Sequence, residues 1–299
     1  MRSLVLIGVA TAVLSTISPL RAQAGAQSEW SAADRVLGRA GADLPGGVHK
    51  YGFPRGDLTV TIGGTRLRPA LALGSWIAFK RTADGKTMAM GDLVLTEDEV
   101  APVMAALQRG GVEQTAVHNH LLGESPRIVY MHVMGKGDAT KIATTLHDAL
   151  AATKTPMEPP PQVTPLRLAL DTVAVATALG VKGKGNGGVY QVSVSRPETI
   201  REGGEVIPPA MGVATGINLQ PTTTGRAVAT GDFVLLPSEV NPVIRALETN
   251  GIKVTALHSH LLTEQPHVLF MHFWGDDDAV RLAHGLRAAL DATAMAPRK

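Results

Sequence analysis

Apolar and polar positions along this chain switch between two periods, and the switches come twice. From Glu97 to Arg109 the apolar residues Val100, Val103, Met104 and Leu107 fall on one helical face. Thr96 and Glu99 stand three apart before that run, the spacing at which each side chain caps a free backbone N–H of the other. Pro102 lies early in the helix, where its missing N–H costs least, and Gly110-Gly111 ends it. A strand ending Gly91-Asp92-Leu93-Val94-Leu95 precedes the helix. Two further strands follow, Val112–Leu121 and Arg127–Met134, joined by LLGESP. In the first, Ala116, His118 and His120 share a face; in the second, Ile128, Tyr130, His132 and Met134 do. A last helix, Asp138–Ala151, turns Ile142, Ala143, Leu146 and Leu150 inward.

The whole succession returns 140 residues later, Gly91–Leu150 answering Gly231–Leu290 without a gap and with a little under half the positions identical. Pro69-Ala70 likewise answers Pro209-Ala210; further upstream the offset creeps, Gly47-Val48 answering Gly188-Val189. A period this long, present twice, predicts two duplicated domains and not a solenoid. Each opens on a short helix (Ser31–Gly41; Leu168–Leu179), followed in the first unit by strands Lys50–Phe53, Leu58–Ile62 and Ser75–Lys80. The expected fold is α+β: a mostly antiparallel sheet with helices on one face and a ferredoxin-like βαββα core. Between the units runs ATKTPMEPPPQVTPLR, whose consecutive prolines favour an extended connector over any packed element. The expected division is a signal peptide at 1–24, a first repeat domain at 25–151, a Pro-rich linker at 152–167 and a second repeat domain at 168–299.

Charge and composition then narrow the setting. A formal net charge of +2 with 44% hydrophobic residues describes a globular chain, and no basic or Arg/aromatic run suits nucleic acid. Arg2 precedes an apolar run, Leu4–Val13, too short to span a bilayer, and Ala22-Gln23-Ala24 fits a small-residue cleavage site. This reads as a secretory signal and predicts a periplasmic or secreted protein, free of the membrane once the signal is cleaved. The chain has no cysteine, so neither disulfides nor a lipid-bearing Cys enter the account.

Candidate chemistry lies in the hairpin. His118, His120, Glu124 and His132 in the first copy recur as His258, His260, Glu264 and His272 while many apolar neighbours differ. Imidazoles two residues apart on one strand face, with a third on the neighbouring strand, suit a transition metal bound through nitrogens about 2.0–2.1 Å away. Glu124 and Glu264 are expected to curl over the site as a fourth ligand or as a general base one water away. Zinc suits the set first; iron, manganese or copper also fit. Tyr130 and Phe270 would wall the patch against an organic substrate. Asp92 and Asp232 sit beside glycines and read as turn or cap residues before partners that orient a His. Asp138 and Asp278 read as helix caps, and His49, His147, His267 and His284 as surface residues, none having a His counterpart in the other copy. The Gly-rich stretch Gly183–Gly188 lacks the following helix that would cradle a phosphate.

H-x-H-x3-E resembles the first cupin motif, but the third His follows too soon for a jelly roll. The segments MGDLVLTEDEVAPVMAAL, TAVHNHLLGESPRIVYMHVMGKGDA and TALHSHLLTEQPHVLFMHFWGDDDA are more similar to the LppY/LpqO lipoprotein family, a bacterial, exported, often tandem domain family of unknown function. That resemblance implies export and duplication and brings no chemistry. Three functions remain: a metal-dependent hydrolase or lyase, narrowly preferred, a non-catalytic carrier of a metal or small ligand, and a structural cell-envelope protein.

Overall fold

A computed structural model describes residues 29–159 and 168–295. The segment expected to be a signal peptide, residues 1–24, and residues 160–167 of the connector lie outside the described residues. The first repeat runs α1 (Ser31–Val36), β1 (Ala42–Leu44), β2 (Val48–Pro54), a small hairpin of β3 (Thr61–Ile62) and β4 (Thr65–Arg66), α2 (Pro69–Ala72), β5 (Gly74–Arg81), β6 (Thr87–Thr96), α3 (Glu97–Gly110), β7 (Glu113–His118), β8 (Ile128–Gly137) and α4 (Ala139–Ala151). The second repeats this: α5 (Thr172–Leu179), β9 (Lys184–Asn186), β10 (Val189–Ser195), the hairpin β11 (Arg201–Glu202) and β12 (Glu205–Val206), β13 (Ala214–Pro221), β14 (Arg226–Leu235), α6 (Val240–Thr249), β15 (Lys253–His258), β16 (Leu269–Asp278) and α7 (Ala279–Asp291).

Each repeat builds one six-stranded sheet, ordered β1-β2-β5-β6-β8-β7 in the first and β9-β10-β13-β14-β16-β15 in the second. All neighbouring strands in both sheets are antiparallel. Because β8 is inserted between β6 and β7, those two strands run the same way and α3 joins them as a split βαβ unit. The fold is thus α+β, as the pattern predicted. Local chemistry explains the elements. Thr96 and Glu99 form the expected capping box, and Asp138 accepts from the Lys141 N–H at the start of α4. In the second copy Pro237 opens a short 3₁₀ turn before α6. Helix α1 stops at Val36, shorter than expected, and its counterpart α5 starts only at Thr172, after the Asp171 cap.

The sheets are buried on both faces. Along β6, Ala89, Leu93 and Leu95 pack with Val103, Leu107, Leu146 and Leu150 of the helices. The alternate positions point the other way, into clusters drawn from both repeats. Met88 and Met90 join Val234, Val268 and Phe270, while Val94, Ile128 and Tyr130 join Val189 and Val228. The molecule is therefore layered helix, sheet, sheet, helix, with the two inner sheet faces against one another.

The described part of the connector, residues 152–159, carries no helix or strand and is tied to the first domain: Lys154 N–H donates to Glu99 Oε1 at 2.8 Å, and Arg39 donates to the Pro156 and Met157 carbonyls. Two expectations are corrected. His49 is buried, held between Asp43 and Asp34 and stacked on Trp30. The predicted strand Leu58–Ile62 shrinks to the short β3–β4 hairpin, which pins the loop after β7 through the Thr61–Ser125 backbone pair. A feature the pattern did not announce is Arg55, fully buried, which donates to Glu99 at 2.7 Å, to the Val94 carbonyl at 2.6 Å and to Asp57 at 2.8 Å. Arg196 repeats this with Glu239 at 2.7 Å and the Val234 carbonyl at 2.8 Å. Removing one partner leaves a buried charge uncompensated, so Glu99→Ala is expected to destabilise the fold by about 3–5 kcal/mol. Urea unfolding checks this, and a loss no larger than that of an exposed surface substitution contradicts it.

Candidate functional site

β8 and β16 carry the site because each is an inner strand whose alternate residues face the other repeat. His132 lies opposite Asp92 of β6 on one side and Ala116 of β7 on the other; Tyr130 lies opposite His118. In the second copy His272 lies opposite Asp232 and Ala256, and Phe270 opposite His258. A register shift in each outer strand, between Gln114 and Ala116 and between Val254 and Ala256, precedes the His-x-His segments. His120 and His260 follow in the turns.

The two histidine sets are not separate. His118 lies over His258 with ring centroids 3.6 Å apart, His120 over His272 at 3.8 Å, and His132 over His260 at 3.6 Å. These pairings obey the internal twofold that relates the repeats, with His118 and His258 at the axis. Within each trio the central ring stands 4.9–5.1 Å from its companions. The expected aromatic wall is present: Tyr130 stacks on His120 at 3.3 Å and Phe270 on His260 at 3.6 Å. His120 is also tied across the interface, its carbonyl accepting from Thr255 Oγ1 at 2.6 Å.

The protonation pattern follows from hydrogen bonding. The Nδ1–H of His118 donates to the Asn119 carbonyl, that of His258 to the Ser259 carbonyl and that of His272 to the Gly231 carbonyl, at 3.2–3.3 Å. The Nε2 lone pair is thereby left on the inner side. All six Nε2 atoms are buried and have no hydrogen-bond partner. Burial, reinforced by the neighbouring imidazoles, pushes every ring below its ordinary value, His118 to about 3; His258 is lowered chiefly by burial. Neutral imidazoles with free lone pairs are what a transition metal binds. Two trios have all their ligand atoms within 4.8 Å of one another: His118, His120 and His132 within one repeat, and His118, His258 and His260 across the interface.

Glu124 and Glu264 do not join either trio. Each turns back on its own loop, Glu124 Oε1 accepting from the Ile128 N–H at 3.1 Å and Glu264 Oε1 from the Val268 N–H at 3.0 Å. The backbone amide four residues on captures the carboxylate that the spacing had assigned to the metal. His267 is a surface residue as expected, and it bonds Glu264 through Nδ1 at 2.8 Å. Burial raises the Glu124 carboxyl to about 7, and its Oε2 is left without a partner.

The carboxylates that do face the cluster are Asp92 and Asp232. They are not turn or cap residues. Both lie in mid-strand, at inner-face positions in register with Met90 and Val94, and the pattern could have shown this because alternation from Val94 places Asp92 on the same side. Asp92 Oδ1 lies 3.8 Å from His132 Nε2 and has no hydrogen-bond partner. Burial raises Asp92 to about 8, with repulsion from Asp232 adding to it, and burial raises Asp232 to about 7. Lys50, unremarked in the sequence, is pushed down to about 8 by burial; its ammonium sits 3.8 Å over Trp76 and donates to the Ala210 carbonyl at 3.0 Å. The glycine before each aspartate is required by close approach: a Cβ on Gly231 would lie 1.9 Å from the Gly216 oxygen. A cavity of roughly 1220 Å³ opens onto this side, lined by His120, His132, His260 and His272 together with Asp92, Asp232 and Lys50.

This is a protein of two fused α+β domains with a histidine cluster on their shared face. Residues 31–152 and 173–292 each match the family described as Domain of Unknown Function (DUF1259), and the chain belongs to that family as a tandem pair. No curated protein matches it. It shows a distant likeness to the crystal structure of a trimeric bacterial microcompartment shell protein, PduB, at 14% identity over 85% of this chain and 90% of that one, TM-score 0.23. EtuB from Clostridium kluyveri is similar at 12% identity over 84% of this chain and 91% of that one, TM-score 0.22.

The cluster's burial makes stability depend on pH. The folded histidines titrate below their unfolded value of about 6.5, so the unfolded chain binds more protons under that pH and stability falls as pH drops toward 4. Asp92 and Asp232 are raised instead and act with the opposite sign, losing stability as pH rises from about 4 toward 8. His118→Gln is therefore expected to flatten the acid loss measured by thermal unfolding between pH 6.5 and 4. An acid slope equal to that of the wild type contradicts the neutral-imidazole account.

Proposed function

We propose that this is an exported metal-dependent hydrolase or lyase whose histidine cluster holds a divalent transition metal, zinc first, in a periplasmic or secreted setting. The observation that carries the reading is the set of six buried Nε2 atoms without partners, gathered from both repeats around one axis. A purely structural histidine network would satisfy those atoms, because each buried acceptor left unpaired costs about 1–3 kcal/mol. A metal ion satisfies them directly. When bound, such an ion supplies Lewis acidity and lowers the pKa of a coordinated water toward about 7.

The chain's own residues support turnover over simple carriage. Four of the six imidazoles border the cavity, so the cluster is open on one side, where a closed structural site would be sealed. Asp92 and Asp232 stand on that open side among the residues lining the cavity, Asp92 Oδ1 3.8 Å from His132 Nε2, placed to hold an ion or its bound water toward a substrate. Tyr130 and Phe270 fix the ring planes of His120 and His260 by stacking and exclude water from their outer faces. Glu124 and Glu264 serve this function by holding the loops that carry His120 and His260, through their bonds to the Ile128 and Val268 amides. The LppY/LpqO resemblance and the secretory leader agree with an envelope location; both are part of this proposal.

Purified protein reconstituted with zinc is expected to retain at least one ion per chain through gel filtration. His118→Ala together with His258→Ala is expected to weaken binding at least tenfold by competitive chelator titration and to abolish ester or phosphate hydrolysis. Wild-type protein that holds no zinc above background contradicts the proposal.

A further inference from the structure

The six imidazoles are too many for one ion, and their pairing shows how they divide. The rings of each cross-repeat pair are tilted by only 20–31° and lie 3.6–3.8 Å apart. An imidazole binds a metal in its ring plane, about 2.0–2.1 Å from the nitrogen. Tilt does not separate the pairs from the trios, whose rings are tilted by 12–31°. The 3.6–3.8 Å separation does, because rings that close lie face to face and point their in-plane lone pairs side by side, so the two members of a pair do not serve one ion. Splitting all three pairs sets aside the cross-repeat grouping of His118, His258 and His260, which contains one such pair and shares His118 with the first trio, and leaves one trio per repeat. His118, His120 and His132, whose ligand atoms already lie within 4.8 Å of one another, form one. His258, His260 and His272 form the other, with neighbouring rings 4.9 and 5.0 Å apart around His258 and the outer two 6.0 Å apart.

Resting on the metal-site reading above, we infer that the protein carries a binuclear centre: one ion per repeat, the two held against each other across the domain interface. Because the trios lie ring over ring, the ions fall at the spacing of about 3.5–4 Å at which two metals clamp one displacement. Three imidazoles leave each ion open toward the cavity, because His118 and His258 stand behind and are absent from its lining. Asp92 and Asp232 border that open side. Asp92 Oδ1 is buried, unpartnered and 3.8 Å from His132 Nε2, a separation two ligands of one ion adopt. Asp232 holds the matching place opposite His272. The two carboxylates also offset the repulsion between adjacent dications, which neutral imidazoles cannot do. The substrate class that suits such a centre is one whose hydrolysis passes through an anionic, oxygen-rich transition state, namely phosphate or carboxylate esters and amides.

Full-length protein is titrated with Mn(II), followed by electron paramagnetic resonance, and in parallel with zinc. Two ions per chain with an exchange-coupled Mn(II) spectrum are expected. His258→Ala with His260→Ala and His272→Ala is expected to leave one ion and the spectrum of isolated Mn(II). Asp92→Asn, its fold checked by circular dichroism, is expected to weaken zinc binding at least tenfold, whereas Asp148→Asn at an exposed position of α4 leaves it unchanged. One ion per chain, or two without coupling, overturns the binuclear centre and leaves the metal-site reading standing. Asp92→Asn binding zinc as tightly as Asp148→Asn overturns the assignment of the carboxylates. No bound ion at all overturns the metal-site reading itself.

Discussion

Six neutral imidazoles packed face to face between two sheets set the terms for the rest of this structure. Inner sheet faces sit about 10 Å apart, enough for interdigitated side chains and little water. Filling that gap with rings whose Nε2 atoms have no partner is unfavourable, and the surrounding structure offsets it. Met88, Met90 and Val234 on one flank, and Val94, Ile128 and Val228 on the other, supply the apolar burial that holds the repeats together. The helices behind each sheet and the buried Arg55–Glu99 and Arg196–Glu239 pairs keep each half rigid enough to present its histidines at a fixed height.

Duplication is what makes the site. A single repeat would expose its His-x-His strand, its third histidine and an apolar sheet face. Two copies related by a twofold cover that face and place each ring against a ring. The symmetry is broken in the cavity: Lys50 and Trp76 line it from the first repeat, Asn218 and Thr230 from the second. The cavity lining is therefore not twofold symmetric, although the histidine cluster is.

Much of this was legible in the residues. The 3.6 and 2.0 periods placed α3, α4 and the inner faces of β7 and β8, and the 140-residue offset gave the duplication. The eight-residue His/Glu set lies in the two hairpins that meet across the interface. Chain proximity alone placed Glu124 beside the histidines, whereas the Ile128 amide holds its Oε1 on its own loop. Asp92 is distant in sequence from His132 and becomes its neighbour only through pairing of β6 with β8, a long-range contact that periodicity does not encode. The same limit hid the meeting of the two histidine sets. No local pattern states that two sheets will pack inner face to inner face, and Lys50 acquires meaning only from that packing.

X-ray diffraction at the zinc edge from crystals of the reconstituted full-length chain tests the central claim most directly. The account predicts anomalous density among His118, His120, His132, His258, His260 and His272, contacted by imidazole nitrogens from both repeats. Anomalous density confined to other sites, with these rings unliganded, would contradict it.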